Sequence, residues 1–180
     1  MKRILVAGIG NIFMGDDAFG CEVAKALSQR SLPKGVCLTD FGIRSYDLAY
    51  AMMEDYDAII LIDASPRGEA PGTLYLIEPQ INKLDEREGE VLNAHSMNPV
   101  RVLQMVRSLG WQPKKVYVVG CEPGVLATDD GRIGLSDRVA GAVEPAVNMI
   151  EKLIIDLTGN EPKGLDIKES KTKSSQQLEA

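Results

Sequence analysis

The chain has 180 residues, 44% of them hydrophobic and 26% charged, the make-up of one globular domain able to bury roughly 70% of its unfolded surface. A net charge of -6 counts against nucleic acid or an anionic membrane surface as the main partner, and no apolar run is long enough to span a bilayer. Lys2 and Arg3 precede an apolar run too short for a signal peptide, and three scattered cysteines make no disulfide framework, so the expected location is the cytoplasm.

In chain order, "RILVAG" (3 to 8) is a continuous apolar run that ends in glycine, as in a strand buried on both faces. From Asp17 to about Arg30 the period becomes helical, with Phe19, Val23 and Leu27 spaced by four. "GVCLTD" (35 to 40) reads as a second strand. "SYDLAYAMMED" (45 to 55) reads as a helix with Ser45 as N-cap and Leu48 and Met52 on one face. "DAIILIDA" (57 to 64) is the most apolar strand, with Asp63 at its end. "GTLYLIE" (72 to 78) is a strand too close behind it for a parallel crossover, so it is expected to be antiparallel or at an edge.

A long polar link, 79 to 95, follows, of a kind that is usually functional or disordered. "NPVRVLQMVRSLG" has Asn98 as N-cap, Pro99 at the first helical position and Gly110 as the stop. "KKVYVVGCEP" (114 to 123) is the last strand. A helix over about 136 to 158 carries Val139, Val143, Val147, Ile150, Ile154 and Leu157 on one face, with Pro145 predicting a kink or a late start. Cys21 and Cys37 fall on a helix and a strand and read as core residues. Residues 1 to 158 form one domain in this reading, and 159 to 180 a solvated, disordered tail. Alternating strands and helices predict a three-layer α/β/α sandwich around a twisted, mostly parallel sheet of about five strands, one of them antiparallel or at an edge.

The turn "GIGNIFMGDDAFG" is a poor phosphate cradle. Gly8 and Gly10 fit a dinucleotide fingerprint, but Phe13 stands where the third glycine belongs, and Gly15 comes two residues late. Asp16 and Asp17 occupy the helix start where an anion would bind. At an effective dielectric near 20, two like charges about 4 Å apart repel by roughly 4 kcal/mol. A cation is favoured there instead, although either aspartate could simply cap the helix.

In the common 2-1-3 strand order, the ends of the first and third strands lie about 5 Å apart sideways. Asp17 and Asp63 then face one crevice at the carboxyl edge, where ligands of open α/β sheets bind. Asp63 reads equally as a turn-forming residue bonded to its own backbone. His95, the single histidine, is by itself more often packed or solvated than a ligand. It closes the polar link just before the Asn98 cap, and that link can reach the carboxyl edge. Two carboxylates and an imidazole form an O,O,N set suited to a divalent transition ion, with positions left open for water or substrate. The sequence does not show that the three converge.

At these residues the chain resembles the nickel–iron hydrogenase maturation endopeptidases. The likeness rests on "GIGNIFMGDDAFG", "IILIDA", "NAHSMNP" and "VVGCEP" in order, and it covers residues 3 to about 158. It departs at "DFGIRSYDL", with Ser45 where the family's D-x-G-x-x-G segment has glycine. The resemblance implies an α/β fold and a cytosolic endopeptidase that removes a C-terminal extension from the hydrogenase large-subunit precursor after nickel insertion. It makes Asp17, Asp63 and His95 the metal-contacting residues. The metal would be the nickel borne by the substrate, or another divalent ion weakly held by the free enzyme. No nucleotide, nucleic acid or membrane partner is expected. No G-x-S-x-G or H-E-x-x-H element offers another peptidase chemistry. Two other readings stay open: a Cys121/His95 hydrolase, against the view of Cys121 as a buried, inert thiol, and a nucleotide-binding or regulatory module.

Overall fold

A computed structural model describes residues 1–80, 98–126 and 131–159. The expected link from 79 to 95, except its first two residues, and the expected tail beyond Gly159 lie outside them. Five strands form one sheet: β1 (Ile4–Ile9), β2 (Val36–Gly42), β3 (Ala58–Ala64), β4 (Leu74–Ile77) and β5 (Val116–Cys121), in the order β2-β1-β3-β5-β4. The first three pairings in that order are parallel, and β4 runs antiparallel to β5 at the edge, as the short β3–β4 link requires.

Alternation along the strands divides the core in two. Ile4, Val6, Ile60, Ile62 and Val119 face one side with α1 (Phe19–Leu27), α4 (Asp137–Gly141) and α5 (Val143–Thr158). Leu5, Ala7, Ile59, Leu61 and Val118 face the other with α2 (Ser45–Met52) and α3 (Pro99–Ser108). This is the three-layer sandwich, and its middle strands are buried on both faces because both faces are covered by helices. Among the described residues, no helix is long and apolar enough to cross a membrane.

Local chemistry accounts for most boundaries. The Asn98 side chain accepts the Val100 amide at 2.8 Å, with Pro99 at the first helical position of α3. The expected final helix is two helices that part at Ala142, and Pro145 sits in the first turn of α5, where its missing N–H costs nothing. The first helix begins later and ends earlier than its apolar spacing predicts. A 3-10 turn over Asp16–Ala18 precedes it, and after Leu27 the Gln29 and Arg30 amides make tight three-residue turns toward Pro33.

Three expectations need correction. Ser45 is the first helical residue of α2, not its cap. Arg44 takes the cap position without a side-chain cap bond, its guanidinium held instead by the Phe41 carbonyl at 3.1 Å and the Asp40 carbonyl at 2.5 Å. Cys37 is exposed rather than core, because β2 is an edge strand with an alternate face open to solvent. Asp63 is the penultimate residue of β3, with Ala64 completing the strand.

Candidate active site

β1 runs directly into the glycine turn, and α1 then packs against β1 and β3 with backbone nearly touching backbone. A Cβ on Gly20 would overlap the Ile62 and Ile9 carbonyl oxygens, and one on Gly10 (φ 142°) would overlap the Asp17 carbonyl oxygen. Only glycine fits these two positions. The close packing brings the 3-10 turn carrying Asp16 and Asp17 down onto the end of β3.

The two aspartates then diverge. Asp16 is fully buried and faces away from the crevice. Its carboxylate accepts the Gly124 amide at 2.8 Å, the Val125 amide at 2.6 Å, and both the Ser136 amide at 2.6 Å and hydroxyl at 2.9 Å. Burial alone would raise its pKa; these donors, Ser136 first, outweigh burial and hold it below the usual carboxylate range. Asp16 is therefore a clamp joining the glycine turn to the segment after β5 and to the start of α4. No side-chain bond caps its own helix.

Asp17 turns the other way. Its carboxylate accepts the Asn11 amide at 2.8 Å, and burial raises its pKa against that single bond. Asp63, 5% exposed, is pushed well above the ordinary carboxylate range, first by burial and then by the Asp17 charge, with only the Ala64 amide opposing. The structure thus brings Asp17 and Asp63 together as a pair of acids at the carboxyl edge, each with one backbone donor among the described residues. That donor set suits a hard or borderline dication, whose charge would remove the repulsion. Among the described residues, no group of three or more histidine, cysteine or acidic side chains is placed to hold a metal ion. His95, the expected third ligand, lies outside the described residues.

The turn's amides are already occupied. Gly10 donates to the Gly42 carbonyl at 3.0 Å, Asn11 to Asp17, and Phe13 to the Asn11 side-chain oxygen at 3.0 Å. A phosphate would find few free donors and an acid pair, which disfavours the nucleotide reading. Cys121 ends β5 but is buried, its thiol against the Glu122 carbonyl at 3.7 Å. Burial and then the Asp16 charge push that thiol up to about 12, the opposite of an activated nucleophile.

Sequence reasoning missed Glu122. Its buried carboxylate accepts the Arg67 amide at 2.7 Å, the Gly68 amide at 3.2 Å and the Tyr75 hydroxyl at 2.6 Å. It fixes the loop that leaves β3 just after Asp63. The motif "GCEP" held the one available signal, an acid directly following a buried strand. The partners of Asp16 gave none, being 108 to 120 residues distant in the chain.

Solved structures share this architecture. The hydrogenase maturating endopeptidase HybD from Escherichia coli superposes with a TM-score of 0.71 at 30% identity, over 88% of this chain and 95% of that one. A hydrogenase 2 maturation peptidase from a Thaumarchaeota archaeon gives 0.63 at 33% identity, over 85% and 98%. The hydrogenase 2 maturation protease of Escherichia coli is 33% identical over 150 residues, 82% of this chain and 88% of that protein. The fold and these relatives together define an α/β endopeptidase. The family described as hydrogenase maturation protease matches residues 21–153, and the chain belongs to that family.

Proposed function

We propose that this endopeptidase acts in the cytoplasm on a nickel-loaded hydrogenase large-subunit precursor and removes its C-terminal extension. In this reading it recognises substrate-borne nickel through Asp17, Asp63 and His95. The observation that carries it is the pairing of Asp17 and Asp63: two acids held together in a half-buried crevice with no compensating cation among the described residues. Structural carboxylates elsewhere in the chain, Asp16 and Glu122, are saturated with donors, whereas among the described residues this pair has one backbone donor each. Such a deficit suits a site that receives its positive charge from the substrate.

Nickel supplies a template, and polarisation of whatever oxygen it binds. The chain supplies position. Asp17 and Asp63, fixed by the close packing of α1 on β1 and β3, orient the precursor's metal site so that the scissile peptide lies against the crevice. Burial and the Asp17 charge raise the pKa of Asp63, so protons compete with a cation for that carboxylate. Three ligands, two of them carboxylates, hold free metal loosely, which favours the loaded precursor over free ion. Cleavage of nickel-loaded precursor by His95→Ala tests the ligand set: the expected result is loss of processing, and full activity would remove the histidine from the mechanism.

A further inference from the structure

We propose that Ser65 and Arg67, held over Gly120 and Tyr75 beside Asp63, form a subsite that binds a carboxylate of the hydrogenase precursor. The inference rests on the function proposed above and adds a second substrate contact to it. Strand register places the subsite. Asp63 on β3 pairs with Gly120 on β5, and Gly120 pairs with Tyr75 on β4, so the three stand in one row across the sheet. Residues paired in this way face the same side. Alternation from Leu61, Val118 and Ile77 puts that side with α2 and α3. Tyr75 is thus two strand spacings, about 10 Å, from Asp63. A Cβ on Gly120 would stand 2.6 Å from the Ser65 hydroxyl oxygen and 3.5 Å from the Tyr75 ring. Ser65 therefore fills the space above the glycine, between the acid and the ring. The Arg67 guanidinium lies over that ring, 5.4 Å from its centroid.

Glu122 fixes the loop that carries both residues. Its buried carboxylate is spent on the Arg67 and Gly68 amides and the Tyr75 hydroxyl, and the Ser65 amide donates to the Cys121 carbonyl at 2.8 Å. The side-chain donors of Ser65 and Arg67 are spare. Among the described residues, no carboxylate lies within ion-pair distance of the Arg67 guanidinium, and the Ser65 hydroxyl has no hydrogen-bond partner. A guanidinium laid on a ring, with a hydroxyl beside it, offers a carboxylate directed donors and a positive charge. Arg67 does not serve the acid pair, on which burial, backbone donors and the Asp17 charge act instead. A chain of net charge -6 repels acidic partners at large, so this cation is what admits an acidic group of the precursor beside the crevice. At about 3.3 Å per extended residue, that group lies about three residues from the one held at Asp63.

The test is steady-state cleavage of nickel-loaded precursor by full-length Arg67→Gln, Arg67→Lys and Ser65→Ala. Lys25→Gln, in the exposed last turn of α1, is the control. A charge-assisted hydrogen bond is worth roughly ten- to a hundredfold in affinity. KM should rise about tenfold for Arg67→Gln and less for Ser65→Ala, with kcat within about twofold and Tm unchanged. Lysine should restore part of the loss, and the control should match wild type. Two altered precursors identify the carboxylate: one with the acidic side chains near the cut changed to amides, one lengthened by two glycines to displace the terminal carboxylate. One of them should raise the wild-type KM to the same extent and be indifferent to Arg67→Gln. An unchanged KM for Arg67→Gln overturns the inference while wild-type cleavage leaves the function intact. An Arg67→Gln effect that persists with both altered precursors overturns it too, as does a fall in Tm, which would mean that an acid of the chain itself pairs with Arg67. Absence of wild-type cleavage removes the function, and this inference with it.

Discussion

Behind the glycine turn, the Asp16 carboxylate meets four donors from two distant segments; in front of it, Asp17 and Asp63 lie together with a single backbone donor apiece among the described residues. The residues are adjacent in sequence, yet the folded chain satisfies one carboxylate fully and leaves the other pair in deficit. A buried acid that is saturated with amides is part of the frame. A buried acid set against another acid costs stability unless a cation arrives, and a fold that keeps such a pair is prepared for that cation.

Substitutions should separate the two regions. The largest effect on activity is expected in front: Asp17→Asn or Asp63→Asn should lower kcat/KM for nickel-loaded precursor at least about a hundredfold, because the substrate loses its orienting contact. Circular dichroism should show the fold intact. The largest effect on stability is expected behind. Asp16→Ala strands three amides and a hydroxyl in a buried site and should cost about 3 kcal/mol or more, roughly a 10 °C fall in Tm for a chain of this size. A comparable Tm loss in Asp17→Asn would erase the distinction.

The pH dependence sharpens it further. Asp63 titrates above its unfolded value, so the folded state favours its protonated form. Stability tied to it is present at low pH and is lost as pH rises from the unfolded carboxylate range through the raised folded value. In the metal-free protein, Asp63→Asn should therefore raise Tm by a few degrees near pH 7 and have little effect near pH 4, as followed by calorimetry across that range. Asp16 has the opposite sign. Its pKa is depressed, and its contribution disappears only in acid. The smallest effect is expected at Cys121, where a buried thiol pushed up to about 12 predicts cleavage within about twofold of wild type for Cys121→Ser, and no loss of activity with iodoacetamide in the native enzyme.

The frame was far more legible than the site. β1 and β3 announced themselves as unbroken apolar runs, the short link after Asp63 required an antiparallel edge strand, and Asn98-Pro99 fixed the start of α3. Those signals are local, and hydrophobic burial enforces them. Ser45 misled because a serine before an apolar period is the usual cap, whereas here Gly42, at φ 55°, and the Arg44 guanidinium build the turn instead. Cys37 misled because apolar content does not distinguish an edge strand from a central one. At the site, the adjacency of Asp17 and Asp63 followed from strand order alone. What separates Asp16 from Asp17 did not, since it depends on amides of Gly124, Val125 and Ser136 that only the closed fold brings near.

The account stands most directly on whether one dication is shared by residues from three separate segments. A nickel-edge anomalous map from crystals soaked with nickel would show it. The expected result is a single peak at the carboxyl edge, about 2.0–2.2 Å from an oxygen of Asp17, an oxygen of Asp63 and a ring nitrogen of His95, by analogy with zinc ligation. A map with no density between the two acids, or with nickel bound while His95 points elsewhere, would contradict it.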